Sequence, residues 1–247
     1  MDAKKVSAMR EGGRILAQVR DSLLSAVKPG VSAEELETLA NQLISAHPGA
    51  VASFKTVPGY KWATCIMKNN EVCHGIPQKK VANTGDIITI DVGLLYKGYH
   101  TDTTGSVFVG TPSPDIQKFL DTGKKALESA ISQAKAGNSI YEVSNAMQKV
   151  VEKAGYNMVF QLTGHTIGKH LHEEPYIPCV AQRRDKKVFL EEGQTIAIEP
   201  MYAMGNAFLV CDEDGWTYKT QDGSLSAMFE HTVLVTSGEP EVLTASV

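Results

Sequence analysis

The chain has 247 residues, 43% of them hydrophobic and 21% charged, with a net charge of −4 and a pI near 6.0. That length supports a core large enough to fold without disulfide staples, and the mild acidity gives no electrostatic case for a nucleic-acid partner. The four cysteines (Cys65, Cys73, Cys179, Cys211) show neither CxxC nor zinc-finger spacing, and no run reaches the ~18 apolar residues of a membrane span, so the expectation is a reduced, soluble, cytoplasmic protein.

The first element in chain order is a helix whose Ile15, Leu16, Val19, Leu23 and Leu24 trace one face, ended by Lys28-Pro29-Gly30. Ser32 opens a second helix as a capping box with Glu35, followed by Leu36, Leu39, Leu43 and Ile44. From about Val51 to Val109 the period becomes strand-like, with turns at Pro58-Gly59, Gly75 to Pro77 and Lys97-Gly98. Ser113-Pro114 is a cap-plus-first-turn signal for a third helix carrying Ile116, Phe119, Leu120, Leu127 and Ile131. Ser139 and Glu142 form another capping box before Val143, Ala146, Met147, Val150 and Val151. Strand-like segments then continue, ending in Ala227 to Val235.

The order helix, helix, strands thus occurs twice. Lys28-x-Gly30-x-Ser32-x-x-Glu35 matches Lys135-x-Gly137-x-Ser139-x-x-Glu142, and Gly85 to Asp91 matches Gly193 to Glu199, at a nearly constant offset of 107 to 108 residues. The expectation is two similar α+β halves, about 1–110 and 111–247, within one domain spanning 1–247. Asp91 and Glu199 then occupy equivalent places near a shared pseudo-twofold axis.

Both residues are also out of place chemically. Ile87-Ile-Thr-Ile-Asp91 and Thr195-Ile-Ala-Ile-Glu199 are buried-strand patterns ending in a carboxylate, and a buried charge is costly unless paired or bound to metal. If Lys97-Gly98 is a two-residue hairpin loop, Asp91 faces Thr104, and alternation puts Asp102 on the face that carries Asp91. Glu230 is a further acid inside an apolar strand, and His231 beside it must point to the opposite face. An oxygen-rich set of this kind suits hard or borderline ions and does not resemble a thiolate-held structural zinc site.

These residues, with Thr101-Asp102-Thr103, Gly164-His165-Thr-Ile-Gly168, Ile198-Glu199-Pro200-Met201, Phe229-Glu230-His231-Thr232, Cys73-His74-Gly75-Ile76-Pro77 and His172-Glu173-Glu174-Pro175, resemble the signature of type I methionine aminopeptidases over essentially the whole chain. The resemblance implies an α+β pita-bread fold, two pseudo-twofold-related halves around a central curved antiparallel sheet flanked by helices. It implies two divalent metal ions (Co, Mn, Fe or Zn) held by Asp91, Asp102, His165, Glu199 and Glu230, with Asp102 and Glu230 bridging. It also implies removal of the initiator methionine from nascent chains when the second residue is small, by attack of a metal-bridging hydroxide on the scissile carbonyl. Glu199 would carry the proton to the leaving amine, His74 would contact the substrate's amino terminus and scissile amide nitrogen, and His172 would bond the carbonyl oxygen as it gains charge. The methionine pocket would include Tyr60, Cys65, Leu171 and Trp216. Nascent N-termini, transient ribosome association and a monomeric state are the implied partnerships.

Three positions depart from the family pattern. Leu171 stands where a Phe is common and is expected to loosen the pocket; Thr166 replaces a Gly and is expected to add bulk beside a ligand; Gly93 stands where a Thr is common. His47, His100 and His170 read as surface or capping residues. Two competing readings are weaker. An Xaa-Pro-cleaving relative would carry a long additional N-terminal domain, for which the early start of the first repeat leaves no room. A non-catalytic relative used for binding would have lost ligands, and all five are present here.

Overall fold

A computed structural model describes residues 2–246. Helix α1 (Ala3–Ala26) starts at Asp2, whose carboxylate accepts from the backbone N–H groups of Lys4 and Lys5. Helix α2 (Ala33–Ser45) starts at Ser32 in the expected capping box with Glu35. Then come β1 (Val51–Ala52), a 3-10 turn (Ser53–Thr56), β2 (Thr64–Lys68), β3 (Glu71–Cys73), β4 (Ile87–Tyr96) and β5 (Tyr99–Phe108). Helix α3 (Pro114–Ile131) is capped by Ser113 with Pro114 in its first turn, and α4 (Ile140–Lys153) repeats the capping box with Ser139 and Glu142. The rest of the chain supplies β6 (Asn157–Met158), β7 (Thr163–Thr166), β8 (Glu173–Pro178), a second 3-10 turn (Arg183–Lys187), β9 (Thr195–Ile198) and β10 (Met201–Ala203). It closes with β11 (Leu209–Cys211), β12 (Tyr218–Thr220), β13 (Ser226–Met228), β14 (Glu230–Leu234) and β15 (Glu241–Val242).

A nine-stranded sheet forms the centre, in the order β1-β4-β5-β14-β9-β7-β8, with β2 also on β4 and β15 on β14. Its pairings are antiparallel, and its seam is the contact of β5 with β14, where the two parts of the chain meet. On one side of the seam, α1 and α2 bury Leu16, Val19, Leu23, Leu36 and Ile44 against Ile66, Ile88, Ile90, Val92 and Leu94. On the other, Phe119, Leu127, Val143, Met147 and Val151 of α3 and α4 join Ile196, Ile198 and Val233.

The repeat persists in individual hydrogen bonds. Gly30 and Gly137 both have φ of 90°, a backbone that favours glycine, and their N–H groups donate to Ala82 and Leu190 carbonyls at 2.8 and 2.9 Å. Gly85 and Gly193 donate to Val109 and Val235, each at 2.9 Å. In the same turns the Asp86 carboxylate accepts from Asn83 N–H (2.7 Å), and the Gln194 amide oxygen accepts from Glu191 N–H (3.1 Å). The architecture is the pita-bread α+β fold with pseudo-twofold halves. The hairpin between β4 and β5 turns at Lys97 (φ 49°) and Gly98 (φ 82°), as a two-residue loop of this twist requires. It fixes the expected register, Asp91 opposite Thr104 and Gly93 opposite Asp102.

Candidate metal centre

Five adjacent strands of the central sheet (β4, β5, β14, β9 and β7) each bring one functional side chain to a common point. Asp91 lies on β4, Asp102 on β5, Glu230 at the start of β14, Glu199 immediately after β9, and His165 on β7. Pro200 behind Glu199 holds that residue extended as the strand ends. Every one of the five is less than 9% exposed. Ligand atoms of Asp102, His165 and Glu230 lie within 4.8 Å of one another. The Thr104 hydroxyl ties in Asp91, lying 2.9 Å from Asp91 Oδ1 and 2.7 Å from Glu230 Oε2. Glu199 Oε1 stands 3.8 Å from His165 Nε2, too far for a hydrogen bond.

The electrostatics of this cluster are unfavourable for a bare protein. Among the described residues no Lys or Arg forms an ion pair with any of the four carboxylates. Burial pushes all four carboxyl groups above their usual range. Asp102 is driven further by Glu230, Asp91 and Glu199, and Glu199 by Glu230 and Asp91. Asp91 adds to the burial of Glu230, while a hydrogen bond from Thr104 eases both Asp91 and Glu230. Burial, then the neighbouring His172, pulls His165 down to about 3, so its imidazole is neutral. Its Nδ1 lies 3.0 Å from the Thr166 carbonyl, to which it donates, leaving the Nε2 lone pair turned toward the carboxylates. Four acids and one neutral imidazole without a cationic side chain fit divalent cations well.

A cavity opens onto the cluster, walled by Phe54, Val57, Tyr60, Cys65, Cys73 and Leu171, with His74 and His172 beside the acids. His172 is exposed, and its ring meets that of His165 edge-on at 4.5 Å. His74 has φ of 55°, a strained backbone for a non-glycine residue, and its ring lies edge-on to Tyr218 at 5.9 Å. Cys65 Sγ accepts from the Tyr60 hydroxyl at 3.2 Å, and burial pushes its thiol up. The candidate residues Tyr60, Cys65, His74, Leu171 and His172 therefore share one cavity with all five candidate ligands. Trp216 is not a wall of that cavity; it packs edge-to-face behind Tyr60 at 5.1 Å.

Several expectations need correction. Thr166 adds no bulk to the site, because strand alternation turns its side chain away from His165. Its hydroxyl donates to the Pro175 carbonyl at 2.9 Å and accepts from Gln194 at 3.1 Å. His100 is not a surface residue; it is buried on β5, with its Nδ1 against the Ser53 hydroxyl. Phe54 and Val57 belong to the site and escaped the sequence reading, while Cys73 and Thr104 were named there without being given a role in it. The register argument already named Thr104 as the partner of Asp91, so its hydroxyl could have been found.

Metallopeptidase family M24 matches residues 7–237. A methionine aminopeptidase of Aquifex aeolicus is 38% identical over 98% of this chain and 96% of its own length, and that of Escherichia coli K12 is 38% identical over 97% and 90%. The chain belongs to the methionine aminopeptidases of family M24. The crystal structure of the methionine aminopeptidase of Thermotoga maritima superimposes with a TM-score of 0.95 at 36% identity, covering 100% of this chain and 98% of that one. A prolidase from Pyrococcus furiosus shares the fold, with a TM-score of 0.79 at 22% identity over 99% of this chain and 65% of its own. As a methionine aminopeptidase family member the chain is a hydrolase that uses divalent metal. No helix among the described residues is long and apolar enough to cross a membrane.

Proposed function

We propose that this chain, acting as a single catalytic domain over 1–247, removes the initiator methionine from new polypeptides whose second residue is small. In this reading Asp91, Asp102, His165, Glu199 and Glu230 would hold two divalent ions. The single observation that carries it is the burial of four carboxylates and a neutral imidazole, with no Lys or Arg among the described residues paired to them, at the floor of a cavity whose remaining wall is Phe54, Val57, Tyr60, Cys65, Cys73 and Leu171. When bound, such cations lower the pKa of water and polarise a carbonyl, whichever of cobalt, manganese, iron or zinc is present.

The chain's own groups supply the rest. The cavity wall formed by Tyr60, Cys65 and Leu171, backed by Trp216, takes the unbranched thioether side chain and excludes water. Its position fixes the scissile carbonyl over the carboxylate cluster. Glu199, whose carboxylate stands beside His165 in the cluster, takes a proton from the attacking water and returns it to the departing amine. His172, at the open rim beside His165, donates a hydrogen bond to the carbonyl oxygen as negative charge develops there. His74 faces the amino-terminal side and the scissile nitrogen.

The work is proposed to take place in the cytoplasm, on a monomer in transient contact with the ribosome. The test compares Met-Ala-Ser with Ala-Pro-Gly as substrates for the metal-loaded protein. Cleavage of the first alone is expected, and cleavage of the second alone would defeat the proposal in favour of an Xaa-Pro activity. Glu199→Ala, checked by circular dichroism for folding, should lower kcat on Met-Ala-Ser by at least about 100-fold. Unchanged turnover would remove Glu199 from the mechanism.

A further inference from the structure

Arg20 lies on the buried stripe of α1, between Leu16 and Leu23, and is only 5% exposed. An aliphatic side chain would be the ordinary occupant of that stripe, and a buried guanidinium is costly unless its N–H groups are used. All five N–H groups of Arg20 find an acceptor. Nε and Nη2 donate to Asp21 Oδ1 at 2.9 and 2.7 Å, and Nη2 also donates to Ser246 Oγ at 2.8 Å. Nη1 donates to the Thr244 carbonyl at 2.9 Å and to Thr103 Oγ1 at 2.8 Å. Thr103 lies between Asp102 and Thr104 on β5, so its side chain points away from the cavity and toward α1. Its hydroxyl accepts from Arg20, which leaves its own proton for the Glu230 carbonyl, 2.9 Å away. Its backbone N–H donates to Asp102 Oδ1 at 3.0 Å. One residue thus touches two candidate ligands from opposite sides of the seam.

The backbone ladder across that seam pairs Glu230 with Thr104 and His231 with Thr103, and extends no further among the described residues. The hydroxyls of Thr103, Thr232 and Ser106 complete it, reaching the carbonyls of Glu230, Asp102 and Met228. Of these three, Thr103 is the one gripped by a charged side chain from a helix. We infer that Arg20 is a positioning residue of the metal centre, holding Asp102 and Glu230 at their spacing through Thr103 from the face of the sheet opposite the cavity. The inference rests on the metal reading of the cluster and adds to it a residue that touches neither cation nor substrate. A charge-assisted bond to Thr103 fixes where the hydroxyl proton points, and so ties the Glu230 backbone to the strand that carries Asp102.

The experiment titrates manganese into wild type, Arg20→Met, Thr103→Val and the double variant in competition with a chromogenic chelator. Wild type should bind the ion, and each single variant should bind it about tenfold more weakly, as when ligand-orienting partners are lost. The double variant should match Thr103→Val within about threefold, because the effect of Arg20 on the ligands runs through that hydroxyl. Urea unfolding of the metal-free proteins gives a contrasting readout. There Arg20→Met should lower the midpoint further in the Thr103→Val background, since the bonds to Asp21, Thr244 and Ser246 do not involve Thr103. At saturating manganese, kcat on Met-Ala-Ser should fall at least about threefold in each single variant with KM unchanged within about twofold, because the cavity lies on the other face. A folded Arg20→Met with wild-type manganese affinity overturns the inference, and so does a double variant whose loss is the product of the two single losses. Wild type that binds no manganese overturns the metal reading and the inference with it. If Arg20→Met does not fold, Arg20→Gln, whose side chain stops short of the guanidinium position, takes its place, and wild-type affinity in it likewise rejects the inference.

Discussion

The Thr104 hydroxyl has one proton and two carboxylate neighbours, Asp91 Oδ1 and Glu230 Oε2, at 2.9 and 2.7 Å. It can donate to only one at a time, so its value lies in orienting two candidate ligands that come from opposite sides of the seam. Removing it should loosen both. Thr104→Val preserves shape, β propensity and burial, and it should weaken divalent-metal affinity by about 10–100-fold, as seen when ligand-orienting partners are lost. Competition titration against a chromogenic chelator reads this directly, and an unchanged affinity would show that the ligands are held without the hydroxyl. Half of this contact was legible in the sequence, since the Lys97-Gly98 loop sets the register that brings Thr104 opposite Asp91. The half that reaches Glu230 was not, because it depends on β5 meeting β14 across 126 residues. Phe54 escaped for a related reason. Its neighbours Ser53, Lys55 and Thr56 form a 3-10 turn without periodicity, and its place in the cavity is granted by a glycine on another strand.

At the scale of elements, the duplicated turns show how one backbone solution is finished by two chemistries. In the second half, the neutral Gln194 amide closes the turn before β9. In the first, Asp86 closes the same turn before β4 and also accepts from Asn69 Nδ2 at 2.9 Å and pairs with Lys68 at 2.8 Å. Burial alone would raise the Asp86 carboxyl group, but Lys68, Asn69 and Asn83 together outweigh it and hold the group below its usual value of 3.8. A depressed folded-state value means that the unfolded chain binds the proton more readily. The stabilisation is therefore complete above about 3.8 and is lost as pH falls through the lower folded value. Asp86→Asn should cost about 1–3 kcal/mol at pH 7 while keeping the turn, and the deficit should shrink in strong acid. Urea unfolding at both ends of that range checks the sign; a deficit independent of pH would assign the loss to geometry instead of charge. The helices were legible because capping boxes are local codes, whereas these two turns showed in the sequence only as the match of Gly85 to Asp91 with Gly193 to Glu199. Strands of two residues, such as β1, β6 and β15, carry no period to read.

For the whole molecule, the cost of the site is borne where the halves join. Asp91 and Asp102 come from the first half, His165, Glu199 and Glu230 from the second, and all five are buried at the centre of the sheet. Without cations the fold holds four carboxyl groups in mutual opposition, and they remain only by taking up protons or by tolerating repulsion. Binding metal to the folded state alone stabilises it by about 2.7 kcal/mol when the free ion is at 100 times its dissociation constant. For a chain of this size that corresponds to roughly 5–10 °C in Tm. Chelation should lower Tm by this order, and readdition of manganese or cobalt should restore it, as calorimetry would record. Glu230→Gln provides the discriminating control. It removes one of the opposed charges, so the metal-free protein should melt higher than metal-free wild type, while the gain on adding metal should shrink because a proposed ligand is lost. If chelation leaves wild type unmoved and Glu230→Gln lowers Tm under every condition, the acids serve as hydrogen-bonded structure and the seam needs no cation to hold it.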